Sequence, residues 1–508
     1  MKKRLTSVLC LVLALLMLPA LVACGDANGN DGKKTTEKTT DRVVNPGETE
    51  DPELHLYDDL PEGEFDGKEF KILNSNSDWG LVAMDAEGIG TPVDNAIFTR
   101  NRYLEENLDI EIQVTQLDYH GVKNTIANQV SGNLYEYDIC YNEGWKHMEL
   151  VQQGTFKSVR GYEQYLDFSK PWWYDDVMSD ITLSDNLYLI AGDMNMMLND
   201  SLWCMAFNKD TIARYDLESP YDLVEEGEWT YEALYEMTQK TLSDGKYGLV
   251  SHIAFASAMI VGADLTFTTR NEDGVVSRNI LGERFTTVYQ DMVEKFFTDN
   301  KMGGEYGIRT AYDSDNYKAN NFPANEFNHH NIFTAGNSTF HAGTVGDMRV
   351  YMPSSEIEYG ILPIPKYNKD QKQYISYVYR AGSMCGLPAN IDSQSEGTLE
   401  RVCTVMEWMC AYSYKVVRPV YYEVILYGRI SRQPEAVEML KVIFGLTDLG
   451  IKRIELDTIM NFGMNSTMEL GASDASPNVA ALINAKGKLV DSLITGLQTY
   501  YADNRPAF

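Results

Sequence analysis

The chain has 508 residues, 44% hydrophobic and 23% charged, with 43 Lys+Arg against 74 Asp+Glu and a formal net charge of −31. Such a composition is globular rather than disordered or collagenous, and at roughly 100–200 residues per domain the length suits two to four domains. The acidity argues against a nucleic-acid partner and against docking on anionic lipid through a basic patch, since both need a local surplus of Lys and Arg.

Met1-Lys2-Lys3-Arg4 is a positive start, and Val8 to Ala20 is an apolar run ending near Pro19. This is the pattern of a secretory signal over 1–23, too short and too polar on its far side to span a bilayer. The run closes on Leu21-Val22-Ala23-Cys24-Gly25. Small residues followed at once by cysteine resemble the lipobox of bacterial lipoproteins, in which the cysteine thiol takes a diacylglycerol and becomes the mature N-terminus. Cys24 is therefore expected to carry the lipid (the palmitate-type anchor), with an ordinary signal peptide and a chance cysteine as the alternative. Two acyl chains hold a protein on a membrane where one does not. The next segment, to residue 66, reads as a tether. Gly25 to Asp66 has no apolar periodicity and carries 13 acidic and 4 basic residues, too little apolar surface to fold.

Beyond it strands and helices alternate. Glu69-Phe70-Lys71-Ile72-Leu73 reads as a strand running into the polar loop 74–80. A helix starts at Thr91-Pro92, with Thr91 as its cap and Val93, Ile97, Tyr103, Leu104 and Leu108 along one face. Ile110, Ile112 and Val114 alternate as a strand. Val122, Ile126, Ala127 and Val130 give a helix stopped at Ser131-Gly132, and Tyr137 to Tyr141 is the next strand. This β-α-β-α-β order predicts a mostly parallel sheet flanked by helices, with ligands beyond the carboxyl ends of its strands. Further strands fall at 187–190, 205–207 and 360–365. Helices fall at 229–242, with Thr230 as cap, and at 399–414. After Cys10 and Cys24, five cysteines remain: Cys140, Cys204, Cys385, Cys403 and Cys410. Five is odd and shows no CxxC pair, so neither a disulfide framework nor a zinc knuckle is indicated. Cys403 and Cys410, seven apart, lie about 10.5 Å apart along a helix, out of bridging reach.

Several short motifs then occur in order. Ser131-Gly132 through Tyr137-Asp138-Ile139, Gln153-Gly154, Phe207-Asn208-Lys209-Asp210, Tyr359-Gly360-Ile361-Leu362-Pro363-Ile364-Pro365-Lys366 and Tyr421-Tyr422-Glu423 follow the lipoprotein-like start Asp58 to Phe70. Together they resemble the extracellular solute-binding proteins of family 1, the ABC-transporter clan that includes maltose-binding protein. The resemblance runs from about Asp58 to the C-terminus. It implies an α/β, two-lobed, periplasmic-binding-protein-like fold of type II with the ligand cleft between the lobes. The expected division is 67–190 in lobe 1, 191–380 in lobe 2, 381–445 returning to lobe 1, and 446–508 as a helical end in lobe 2. Relatives often carry a calcium loop before the "YGL" strand. Here Leu242-Ser243-Asp244-Gly245-Lys246-Tyr247-Gly248 lacks its pattern, so no calcium is carried over.

Ligand-binding candidates lie in loops at strand ends: Asn76, Asp78 and Trp79 after the first strand, and Tyr141, Asn142, Glu143 and Trp145 after the third. Aromatic faces beside amides and carboxylates suit sugar C–H stacking and hydroxyl bonding. Asp193 and Trp203 lie where the chain should cross between lobes, and Gly343-Thr344 matches the family's strand-to-loop passage lining the second lobe. Packing is an equal reading for both tryptophan loops and for Trp203. Arg380 could pair with an acidic ligand or with one of many carboxylates, the second being the expectation, and the aromatic cluster Pro171-Trp172-Trp173-Tyr174 reads equally as a surface loop packed on its lobe.

Catalytic patterns fail. Ser184-Asp185-Asn186 matches an S-D-N element, but its S-x-x-K candidate at Ser243–Lys246 lies on the wrong side and K-T-G is absent. His329, His330 and His341 are expected to be solvated loop histidines, and no metal or cofactor is expected. The resemblance implies a lipid-anchored, monomeric receptor on the outer face of a Gram-positive-type bacterium. It would close on a carbohydrate, an oligosaccharide by preference, and deliver it to an ABC permease without being an enzyme. The alternatives are a surface-anchored carbohydrate-active enzyme and a receptor for a peptide or other non-sugar solute.

Overall fold

The computed structural model describes residues 57–75, 91–242, 247–280, 282–299, 329–355, 357–427 and 434–504. The signal segment 1–23, Cys24, most of the tether, the loop bearing Asn76, Asp78 and Trp79, and the 243–246 turn lie outside the described residues.

The first strand and helix form where their sequence places them. Strand β1 spans Lys68–Ser75, and Phe70, Ile72 and Leu73 are fully buried. The helix Pro92–Leu108 begins with a reciprocal cap. Asp94 N–H donates to Thr91 Oγ1 at 3.3 Å, and Thr91 N–H donates to Asp94 Oδ2 at 2.7 Å. Loss of such a cap costs about 1 kcal/mol. Val93, Ile97, Leu104 and Leu108 form its buried stripe. Strand β2 is Ile110–Leu117, and the helix Tyr119–Ser131 ends at Gly132 as its sequence predicts.

Strand β3 is Ile139–Glu143, reaching two residues further than the alternation suggested, and β4 is Leu189–Ile190. There follow β5 (Trp203–Asn208), β6 (Tyr247–Ser251), the β7 (Thr268–Arg270) and β8 (Val276–Arg278) hairpin, and β9 (Ser338–Thr344). The last strands are β10 (Tyr359–Pro363), β11 (Tyr374–Val378), β12 (Ser383–Gly386) and β13 (Gly450–Ile454).

Two main sheets result. The first has the order β2-β1-β3-β12-β4 and the second β10-β5-β9-β6. In the first, β1 pairs in parallel with β2 and β3, while β12 runs antiparallel to β3 and β4. Four strands thus share one direction and β12 opposes them. In the second, β6 is parallel to β9, and β5 runs antiparallel to both β9 and β10. Three strands share a direction and β5 opposes them. Each sheet is mostly parallel in direction with one reversed strand. In each the reversed strand follows a connection between the sheets: β5 follows 191–202 and β12 follows the turn after β11.

Those two connections run side by side. Tyr379 N–H donates to Ser201 O at 3.0 Å, Leu202 bridges Val378, and Asn195 Nδ2 donates to Ser383 Oγ at 3.1 Å. The helix Thr398–Tyr412 packs against the helix Pro92–Leu108, and its Cys403 and Cys410 are buried small groups. Burial pushes the Cys403 thiol up to about 12, so it stays protonated and inert. The helix Pro434–Ile443 packs on β10. Among the described residues no helix is long and apolar enough to cross a membrane.

Candidate functional site

The carboxyl end of β3 meets the inter-sheet turn 379–382. Gly144 N–H donates to Gly382 O at 2.9 Å, and Trp145 N–H donates to Arg380 O at 3.3 Å. Gly144 is required for this approach. A Cβ there would lie 2.3 Å from Ile459 Cδ1, 3.1 Å from Met384 Sδ and 3.3 Å from Gly382 O. Glycine lets the 144–151 helix start directly against the turn, and that start aims Glu143 and Trp145 into the junction.

Trp145 is half-buried, and its indole N–H donates to Glu143 Oε2 at 2.7 Å. Lys146 Nζ lies 3.6 Å from the ring centroid and the Arg380 guanidinium carbon 5.1 Å. Burial raises the Glu143 pKa, opposed by the Trp145 hydrogen bond, Lys146 and Arg380. Arg380 also lies near the Tyr379 ring, at 5.9 Å, and its charge acts on Glu469 and His252. Burial raises Glu469, which accepts a 2.5 Å hydrogen bond from Ser257 Oγ. Burial lowers His252 to about 4, so it is a neutral imidazole at neutral pH. Trp203, at the start of β5, closes the group with its ring 6.3 Å from Tyr379. Its indole N–H is buried and lacks a partner among the described residues. Asn74, at the end of β1 and in register with Tyr141, is fully buried with both amide atoms likewise unpartnered there. Orphaned buried polar atoms of this kind ask for water or ligand.

The sequence-derived candidates therefore divide. Glu143, Trp145 and Trp203 are brought together. Tyr141 is a core residue beneath them, 1% exposed, and Asn142 is fully buried, with its amide donating to Tyr119 O at 3.0 Å and accepting from Glu143 N–H. Asp193 is enclosed by Tyr174 Oη at 2.6 Å and Arg418 Nη1 at 3.2 Å. Gly343 packs against His341 and Asp347, and Thr344 caps the helix Val345–Tyr351 by accepting from Asp347 N–H. Asn76, Asp78 and Trp79 are outside the described residues.

Arg380 stacks on Trp145 where the turn between β11 and β12 carries it, and its charge acts on Glu469 and Glu143. Trp172 and Trp173 pack inward from their loop, and both indoles donate to Glu407, at 2.8 and 3.0 Å. One expectation is corrected. His329, His330 and His341 are not solvated: all are buried, the first two on the helix His329–Thr334 and the third on β9. Periodicity missed Tyr379, His252 and Glu469 and gave Arg380 no site role, because the turn 379–380, residue 252 and residue 469 are distant in sequence. Only tertiary packing gathers them.

Open pockets of about 480 Å³ lie elsewhere. One is lined by Lys157, Tyr162, Tyr188 and Tyr500, and another by Asp264, Arg284, Gln371 and Arg453.

No family model matches the chain, and no curated protein matches it. Solved structures do. A cyclic α-maltosyl-1,6-maltose binding protein from Arthrobacter globiformis is similar with a TM-score of 0.56 at 11% identity, covering 86% of this chain and 100% of that one. A cyclo/maltodextrin-binding protein complexed with maltotetraose matches with a TM-score of 0.56 at 12% identity, over 85% of this chain and 99% of that one. An ABC substrate-binding protein from Listeria monocytogenes in complex with cycloalternan gives 0.52 at 11% identity, over 84% and 99%. The chain has the two-lobed α/β fold of these periplasmic-binding-protein-like molecules.

Proposed function

We propose that the protein is an extracellular solute-binding receptor of an ABC importer, held on the membrane by a lipid on Cys24, that captures an oligosaccharide and passes it to a permease. The observation that carries this reading is the junction itself. An aromatic ring, a guanidinium and two carboxylates from separate segments converge beside the paired connections. Planar donors and acceptors next to an aromatic face match vicinal sugar hydroxyls on a C–H surface. The fold supports the reading because its solved neighbours include proteins bound to maltotetraose and cycloalternan. Glu143, Trp145, Trp203, Tyr379, Arg380, His252 and Glu469 are the assigned ligand-facing residues, with Asn74 and the adjoining Asn76, Asp78 and Trp79 as further contacts. Lobe 1 is assigned to 67–190 and 381–445, and lobe 2 to 191–380 and 446–508. Closure would be a hinge motion about the paired connections. The protein acts as a monomer and binds its ligand without turning it over.

Mass spectrometry of the protein released from cells should find a co-purified glycan. Tryptophan fluorescence should change on titration with one class of oligosaccharide, and that sugar should survive prolonged incubation intact. Silence across mono- and oligosaccharides would remove the carbohydrate assignment, and cleavage of the sugar would make the protein an enzyme. Cys24→Ala should move the protein from the membrane fraction to the medium.

A further inference from the structure

Four of the seven histidines in the chain gather around the second sheet. His341 lies on β9, in register with Val250 of β6, and His252 follows β6 directly. His329 and His330 open the helix packed on β9. His341 Nε2 is 2.9 Å from His329 Nδ1 and 3.1 Å from His330 Nδ1. The ligand atoms of these three residues all lie within 4.8 Å of one another, and all three side chains are buried.

We propose that His329, His330 and His341 form a binding site for a divalent transition-metal ion of the zinc class, apart from the solute site. The spacing fits. With metal–nitrogen bonds of about 2.05 Å, nitrogens of neighbouring ligands stand about 2.9 Å apart at a right angle and about 3.4 Å apart in a tetrahedron. The two measured edges fall in that interval. In a purely hydrogen-bonded cluster, one proton or one lone pair on His341 Nε2 must serve two facing nitrogens. A central ion instead uses three lone pairs at once.

The surroundings prepare the site. Asp347 Oδ1 lies 3.7 Å from His330 Nε2, behind the nitrogen assigned to the metal. A carboxylate on that side of the ring favours a proton on Nε2 and a lone pair on Nδ1. Its other oxygen accepts from Thr344 N–H at 2.7 Å, so the carboxylate is fixed by the helix cap. Tyr351 stacks on the His330 ring at 4.1 Å, holding its plane. Gly343 leaves room: a Cβ there would stand 2.8 Å from His341 Cε1 and 2.7 Å from Asp347 Oδ2. Imidazole ligands suit zinc, copper, nickel and iron rather than calcium or magnesium. Three neutral nitrogens in a buried setting favour zinc, with a fourth position for water. The ion would tie the helix His329–Thr334 to β9.

The test uses the full chain, stripped with a chelator and titrated with Zn(II) by calorimetry, then with Co(II) followed by visible absorption. One equivalent should bind, the Co(II) spectrum should show the intense bands of a four-coordinate nitrogen site, and the melting temperature should rise. His341→Gln should weaken binding at least 100-fold, and Asp347→Asn should weaken it about 10- to 100-fold. The exposed His120→Gln should bind like wild type. Should His341→Gln fail to fold, His330→Gln carries the comparison. Absence of stoichiometric binding, or equal binding by the folded histidine variants, overturns the proposal. Sugar titration of the stripped protein keeps this outcome separate from the solute reading.

Discussion

Asp193 and Glu143 are both acidic groups near the inter-sheet connections, yet they sit in opposite situations. Asp193 is 1% exposed, and its two oxygens are taken by Tyr174 and Arg418. Asp200 repeats the arrangement with Arg349 Nη2 at 2.7 Å and Tyr421 Oη at 2.7 Å. Glu143 is only half-buried, and the indole it binds also faces Arg380. A carboxylate saturated by internal partners holds the fold together. One whose partners border an aromatic and a guanidinium from another segment can exchange those contacts for a ligand.

Breaking the closed pair should have the largest effect. Asp193→Ala leaves Arg418 as a buried charge without its carboxylate, and should lower unfolding free energy by about 3–5 kcal/mol in urea denaturation. On the open side, Trp145→Ala should weaken solute affinity about 100-fold while moving stability by less than about 1 kcal/mol. Equal loss in both measurements would erase the distinction between the two regions.

A smaller effect comes from His147, buried on the helix Gly144–Val151 against Phe156 at 4.7 Å, with burial lowering its pKa to about 3. Because the folded value lies below the unfolded 6.5, its stability contribution is present above pH 6.5 and is lost as pH falls toward 3. At pH 5 the loss is roughly 2 kcal/mol. His147→Leu should therefore flatten the acid dependence between pH 6.5 and 5 by about that amount, measured as the difference in denaturation midpoint. The smallest expected effect is Arg380→Gln, which keeps hydrogen bonding but removes the charge, and should weaken solute binding about 10-fold. An unchanged affinity would return Arg380 to a packing role.

Much of the fold was legible because its elements are locally encoded. The Thr91 cap, the stripe Val93–Ile97–Leu104–Leu108 and the stop at Gly132 depend on residues a few positions apart. The ordered short motifs pointed to the type II binding-protein fold even though the solved neighbours are only 11–12% identical. The site was half legible. Glu143 and Trp145 follow a strand end, where the β-α order directs the search. Arg380 gave no local signal, since its surroundings come from segments around 145, 252 and 469. The histidines misled for the same reason. Their spacing of 329, 330 and 341 has no ligand pattern along the chain, and it becomes a cluster only when a helix packs on β9.

By itself the sequence determined the alternation of strands and helices and the apolar faces that bury, because hydrophobic period and capping act within a few residues. Only the tertiary structure decided which carboxylates are closed by partners and which stay open. It also decided that β5 and β12 run against their sheets, that Arg380 meets Trp145, and that three histidines cluster. These depend on long-range packing, in which groups hundreds of residues apart exclude water from one another and so set each other's charge.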